Sequence, residues 1–153
     1  VMALTIIAIG KKHEDWVQVG IERYQKRLRA PMDVKWVLLP HSRFEGDRAR
    51  QEESERIRAR IPSDAYVLLL DERGVEFDSP KLARHLERVF AQGKQIVCII
   101  GGAYGVTEEL HAHAATVWSL SPLVFPHQLV RLILTEQLYR AQQIQAGAAY
   151  HHQ

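Results

Sequence analysis

The sequence predicts an α/β fold, a mostly parallel sheet with helices on both faces. Three observations predict it. Five short apolar runs recur along the 153 residues. They are continuous rather than alternating, as strands covered on both faces require. Stretches with apolar residues at helical spacing separate them, and strand–helix alternation builds parallel sheets. The chain is 46% apolar with a net charge of +2, which suits one hydrophobic core, so residues 1–153 are expected to form a single domain.

The elements run in this order. LTIIAI (4–9) reads as the first strand. From Glu14 to Arg29, the residues Val17, Ile21, Tyr24 and Leu28 fall on one helical face, and Pro31 stops the helix. VKWVLL (34–39) is the second strand, closed by Pro40. Residues 47–61 are dense in Arg and Glu, with Ile57 and Ile61 as an apolar edge, and read as a solvated helix of alternating charge. YVLLL (66–70) is the third strand. Ser79-Pro80 opens a helix whose stripe is Leu82, Leu86, Val89 and Phe90, and Gly93 ends it. IVCII (96–100) is the fourth strand, Thr107 starts a short helix, and TVWSL (116–120) is the fifth strand. The loop SPLVFP then leads into a long helix from about Pro126 to Ala146.

Composition excludes several classes. A single cysteine, Cys98, allows no disulfide within the chain. The longest N-terminal apolar stretch, ALTIIAI, is too short for a membrane span and lacks the basic start of a signal peptide. A cytoplasmic protein is expected. The mild positive charge permits a nucleic-acid partner without demanding one.

The chemistry gathers at strand ends. GGAYGVTEEL (101–110) comes directly after the fourth strand. It is not the GxGxxG fingerprint found after the first strand of dinucleotide-binding folds, and no phosphate-binding GxxxxGK[ST] is present. Gly101 and Gly102 either make a tight turn or let a ligand approach the backbone. In open α/β sheets, ligands sit beyond the carboxyl ends of the strands. Three such ends carry useful residues: Leu70-Asp71, Gly101-Gly102, and Leu120 through Phe125.

Several motifs together resemble one family. They are IGGAYG, WSLSPLVFPHQLVR, EQLYRA and a terminal AYHH, with an early strand ending in AIGK and a helix opened by DWV. In this order and over essentially the whole chain, they resemble the small SPOUT methyltransferases of the ribosomal RNA large subunit methyltransferase H family. The resemblance implies a C-terminal trefoil knot, S-adenosylmethionine as methyl donor, a homodimer, and methylation of N3 of a pseudouridine in 23S ribosomal RNA. It places donor contacts at Leu70, Gly101, Leu120, Ser121, Pro122, Leu123, Val124 and Phe125. The sequence departs from the family at its end, where Ala149 replaces a proline and His152 a fixed cation.

A nitrogen nucleophile with an imide proton needs alignment and a base of modest strength. No metal is required, and the histidines of HAH (111–113) point in different directions on a helix. His127 beside the donor loop is a candidate for substrate contact, or else bonds the helix start. Gln128, Arg131, Thr135 and Gln142 form a polar stripe on the last helix. Arg131 is expected to reach RNA phosphate or the donor region, or to make an interface ion pair. Glu136 and Arg140 read as a structural ion pair. Lys11, Lys12, Arg43 and Arg48 are candidate RNA contacts. In the tail, Tyr150 is expected to stack on a splayed base and His151 to bond it or take its proton, completing the partner subunit's site. Two other readings are a knotted methyltransferase acting on another RNA such as tRNA, and a non-catalytic ribosome-binding module.

Overall fold

A computed structural model of the chain describes residues 4–152. The elements are β1 (Leu4–Ile9), α1 (Asp15–Gln25), β2 (Val34–Leu39), α2 (Gly46–Arg58), β3 (Tyr66–Glu76), α3 (Ser79–Ala91), β4 (Ile96–Ile100), α4 (Glu108–His113), β5 (Thr116–Ser119) and α5 (His127–Gln145). The strands form one sheet in the order β2-β1-β4-β3-β5, and every neighbouring pair is parallel.

Alternate residues of each strand feed two cores. On one face Leu4, Ile6, Leu68 and Cys98 meet α3 through Leu82 and Leu86, and α5 through Leu134, Leu138 and Ala141. On the other, Ile7, Ile9, Leu69, Val97 and Ile99 meet Ile57 of α2 and Leu110 of α4. This explains why the strands are apolar on both sides. Burial pushes the Cys98 thiol up to about 12, so it serves as a small hydrophobe.

Two elements differ from the expectation. β3 continues past Leu70 to Glu76, but its ladder with β5 is broken. Leu70 and Val75 both pair with Trp118, so Asp71–Gly74 bulge out of the sheet. At Gly74 a Cβ would overlap the Val117 carbonyl, so the bulge returns to the sheet only through a residue without a side chain. The second difference is α2, which is not a fully solvated helix. Ala49, Glu53, Ser54 and Ile57 form a buried face, and its two polar members hold the candidate site.

The polar stripe of α5 grips α1 and the loop before it. The Gln128 side-chain carbonyl accepts from the Glu14 amide at 2.9 Å, and its amide donates to the Lys12 carbonyl at 3.3 Å. At the other end of α1, Gln142 accepts from the Arg29 amide (2.7 Å) and donates to the Arg27 carbonyl (3.0 Å). Between them Arg131 is 1% exposed. Its guanidinium donates to the carbonyls of Ile9 (2.9 Å), Gly10 (3.1 Å) and Lys12 (3.1 Å) and to His13 Nδ1 (3.2 Å). Arg131 thus turns its two terminal nitrogens to the chain leaving β1, not to an ion pair or an open surface, while its Nε has no partner. Gly10 has φ +119°, and a Cβ there would lie 2.8 Å from the guanidinium, so glycine is required on both counts.

Replacing Arg131 by Ala should therefore act as a stability mutation. The buried Ile9 and Gly10 carbonyls and the part-buried Lys12 carbonyl lose a charged donor, each worth about 1.5–3 kcal/mol though not additively. A loss of about 3 kcal/mol or more is expected, lowering the melting temperature by at least about 6 °C. Calorimetric unfolding checks this, and an unchanged melting temperature would contradict the anchoring role.

Candidate functional site

The register of the sheet sets the site. Leu70 pairs with Ile100 on one side and with Trp118 on the other, so three strands end in one row. Beyond that row the backbone opens into a cleft of about 380 Å³. Leu70, Gly101, Leu120, Ser121, Leu123, Val124 and Phe125 line it, and Pro122 does not. Asp71, Arg73, Val106, His127 and Val130 line it as well.

Each wall has its own local cause. The glycine wall is a tight turn, with the Gly105 amide on the Gly102 carbonyl at 3.0 Å. Both glycines also line the cleft, and a side chain at either would meet atoms of the protein itself. A Cβ on Gly101 would lie 3.1 Å from Val106 Cγ1, and one on Gly102 would overlap Glu53 Oε1. Two contacts from α2 frame the turn, and a third ties α2 to the loop before it. Ser54 Oγ accepts from the Thr107 amide at 3.0 Å, Arg50 Nε donates to the Tyr104 carbonyl at 2.8 Å, and Glu53 Oε2 accepts from the Ser42 amide at 2.9 Å. Glu53 is 3% exposed, and its Oε1 has no partner. The spacing Ala49–Glu53–Ile57 was the one sequence signal that Glu53 faces inward.

The second wall is the loop after β5. Ser121 organises it, its carbonyl accepting from Ser119 Oγ and its Oγ from the Leu123 amide, each at 3.0 Å. The loop leaves Leu123 and Val124 69% and 81% exposed. The β3 bulge makes the third wall. Asp71 accepts from the Arg73 amide (2.9 Å) and guanidinium (3.0 and 3.2 Å). Burial would raise the Asp71 carboxyl, but these bonds and the Arg73 charge outweigh it and hold it below its ordinary value. His127, at the start of α5, makes no side-chain cap. Burial first, then the charge of Arg131, lowers its pKa below the usual histidine value, so the ring is neutral near pH 7.

A second cleft, of about 590 Å³, adjoins the first and shares Trp118, Leu120 and Phe125 with it. Phe77, Asp78, Ser79, Pro80, Ile133, Gln137 and His151 complete its lining. The tail reaches it by folding back along α5 of its own chain. The expected Glu136–Arg140 ion pair is present at 2.7 Å and is also the tail's anchor. The Tyr150 hydroxyl donates to Glu136 Oε2 (2.8 Å), and Arg140 lies over the Tyr150 ring at 4.7 Å. Arg140 also donates to His151 Nδ1 at 3.1 Å. Tyr139 meets the same Tyr150 ring edge-on at 4.9 Å. Tyr150, expected to stack on a base, has its ring occupied within the chain. Burial and the Glu136 hydrogen bond raise its pKa, so it remains a phenol. His127 and His151 thus face clefts, Arg131 lies buried beneath the β1 end, and Tyr150 holds the tail.

A family model described as "Predicted SPOUT methyltransferase" matches residues 2–151. Ribosomal RNA large subunit methyltransferase H of Geotalea daltonii is 42% identical over 156 residues, covering 99% of this chain and all of that protein. The protein of the same name from Thioalkalivibrio sulfidiphilus is 38% identical, covering 98% of this chain and 99% of its own. The chain belongs to the SPOUT methyltransferases, in the ribosomal RNA large subunit methyltransferase H family. Its fold is similar to that of a probable methylase family protein from Haemophilus influenzae, with a TM-score of 0.55 at 14% identity, over 98% of this chain and 70% of that one. Among the described residues of this SPOUT methyltransferase, no helix is long and apolar enough to cross a membrane. No group of three or more His, Cys, Asp and Glu side chains is placed to hold a metal ion there either.

The buried contact between Glu53 and the glycine turn gives a test. Gly102→Ala should destabilise this SPOUT methyltransferase by about 1–3 kcal/mol, the usual cost of overpacking. Adding Glu53→Ala removes the overlapping oxygen. The double variant should then be more stable than the sum of the single effects by at least about 0.5 kcal/mol in denaturant unfolding. Simple additivity would show that the overlap is not what forbids a side chain at 102.

Proposed function

We propose that this chain transfers a methyl group from S-adenosylmethionine to N3 of a pseudouridine in large-subunit (23S) ribosomal RNA. The observation that carries the reading is identity of about 40% along the full length of relatives that bear that ribosomal RNA methyltransferase name. The cleft fits the donor on its own chemistry. Its apolar walls, Leu70, Val106, Leu120 and Phe125, suit a flat purine, and its rim offers the Asp71 carboxylate and Arg73 guanidinium to polar ends. The proposed donor contacts are Leu70, Gly101, Leu120, Ser121, Leu123, Val124 and Phe125.

S-adenosylmethionine supplies an electrophilic methyl on a sulfonium. The residues here align and desolvate the acceptor. A neutral His127 is suited to exchange a proton with the acceptor ring, and a cleft that excludes water favours the near-attack geometry. The same reading includes a trefoil knot, a cytoplasmic location and a single domain over residues 1–153. It also includes a homodimer, which the exposed Trp16 (55%), Val19 (69%), Leu123 and Val124 favour. Ribosomal RNA would approach over Lys11, Lys12, Arg43 and Arg48, all exposed. Arg48 sits 3.8 Å over the Phe44 ring, which pairs an aromatic surface with charge.

Mass mapping of 23S RNA from a strain lacking this chain is expected to show one pseudouridine without its methyl group, restored by the wild-type protein. A fully methylated site in that strain would refute the reading. Binding to a target RNA should weaken linearly in log salt, with a slope of about −0.7 to −0.9 per phosphate contacted. A flat salt response in fluorescence titration would contradict the basic surface.

A further inference from the structure

The loop between β2 and α2 carries an exposed aromatic ring among charges. Phe44 is 38% exposed, and the Arg48 guanidinium lies over its ring at 3.8 Å. The chain fixes this pair at the rim of the cleft. The Ser42 amide donates to the buried Glu53 carboxylate at 2.9 Å, and the Phe44 amide donates to Ser42 Oγ at 3.0 Å. Arg50 donates to the Tyr104 carbonyl at 2.8 Å, which ties the start of α2 to the glycine turn. Arg50 also pairs with Asp47, so the acidic neighbour of Arg48 is already neutralised. Tyr104, between the cleft-lining Ala103 and Gly105, is itself 41% exposed. At the other end of the loop, His41 lies against Gly10, where a Cβ would be 3.3 Å from its Nε2. Three residues of chain span at most about 11 Å, so Phe44 stays close to the strand ends.

We propose that Phe44 and Arg48 form a stacking platform for one unpaired RNA base, that of a nucleotide flanking the one that enters the cleft. The inference rests on the proposed function, since it takes the acceptor to be a nucleotide of ribosomal RNA. A base that undergoes chemistry in a cleft must leave its own stack. Its neighbour then loses a stacking partner, and a flat surface on the protein replaces it. Aromatic rings and guanidinium planes both stack on splayed bases. Arg43 and Arg48, both exposed, put positive charge on either side of the ring, which suits the phosphates of the same strand. An apolar peptide partner would instead favour an aromatic patch free of charge at its centre. Because every base has a π-face, the platform selects an open strand rather than a sequence. Glu53 and Ser42 act as positioning residues, because they hold the loop that presents Phe44.

Photocrosslinking reads the contact directly. The variant Phe44→p-benzoylphenylalanine, irradiated on ribosomal particles from a strain lacking this chain, should crosslink to RNA beside the nucleotide that the wild-type protein methylates. Reverse transcription maps the position. Crosslinks only to a ribosomal protein, only to distant RNA, or to nothing would overturn the proposal. Kinetics on the same particles separate stacking from charge. Phe44→Ala should raise KM roughly 5- to 150-fold, the range for one lost base stack, with kcat at saturation unchanged. Phe44→Trp should restore the wild-type KM. The slope of log affinity against log salt should stay the same in Phe44→Ala and shrink by about 0.7 in Arg48→Gln, which removes one charge. A wild-type KM in Phe44→Ala, or a slope that shrinks as it does in Arg48→Gln, would overturn the stacking role and leave the ring as a mere support for the arginine. A wild-type protein that methylates some other RNA would refute the proposed function, while a crosslink beside that other target would uphold the platform.

Discussion

One row of paired residues governs the molecule. Ala8, Ile100, Leu70 and Trp118 lie side by side across four parallel strands. Parallel strands point their carboxyl ends the same way, so the segments leaving those ends must meet one another there. After Ala8 and Ile9 comes the turn at Gly10, after Ile100 the glycine turn, after Leu70 the bulge, and after Trp118 and Ser119 the exposed loop. A register slip of one residue would turn the buried face of a strand outward and dismantle the cleft together with the core. Site and core are therefore one constraint, which is why a 153-residue chain can carry both.

Helix α5 ties that row to the chemistry. Its first residue, His127, faces the cleft at the strand ends. One turn on, Arg131 is buried and holds the end of β1 through carbonyls. Further along, Glu136 and Arg140 anchor the tail. The helix is amphipathic in an unusual sense, because much of its polar face is consumed by backbone rather than by water. A buried guanidinium bonded to carbonyls is costly to disturb, since the Ile9 and Gly10 carbonyls it leaves behind are themselves buried.

Most of the architecture was legible because buried parallel strands announce themselves as unbroken apolar runs. IVCII can hardly be anything else between two turn signals. The three strand ends at Leu70, Gly101 and Leu120–Phe125 were legible for the same reason, since topology alone brings such ends together. The hidden features depended on contacts distant in sequence. Asp71-Glu72-Arg73-Gly74 looks like an ordinary loop, and only the double pairing of Trp118 shows that it is a bulge within a strand. Glu53 looks like one charge among many, and its burial results from the approach of the glycine turn. Arg131 stood out as polar among apolar neighbours, but its partners lie about 120 residues earlier in the chain. The tail showed an aromatic ring and imidazoles without showing what would hold them.

The central claim is that three adjacent strand ends form one donor-binding unit. Hydrogen exchange measured by mass spectrometry, with and without S-adenosylmethionine, tests it most directly. Amides in Leu70–Gly74, Gly101–Val106 and Leu120–Phe125 should slow together at the same donor concentration, because one ligand touches all three. Protection of only one segment, or protection centred on the β2 side of the sheet, would contradict it.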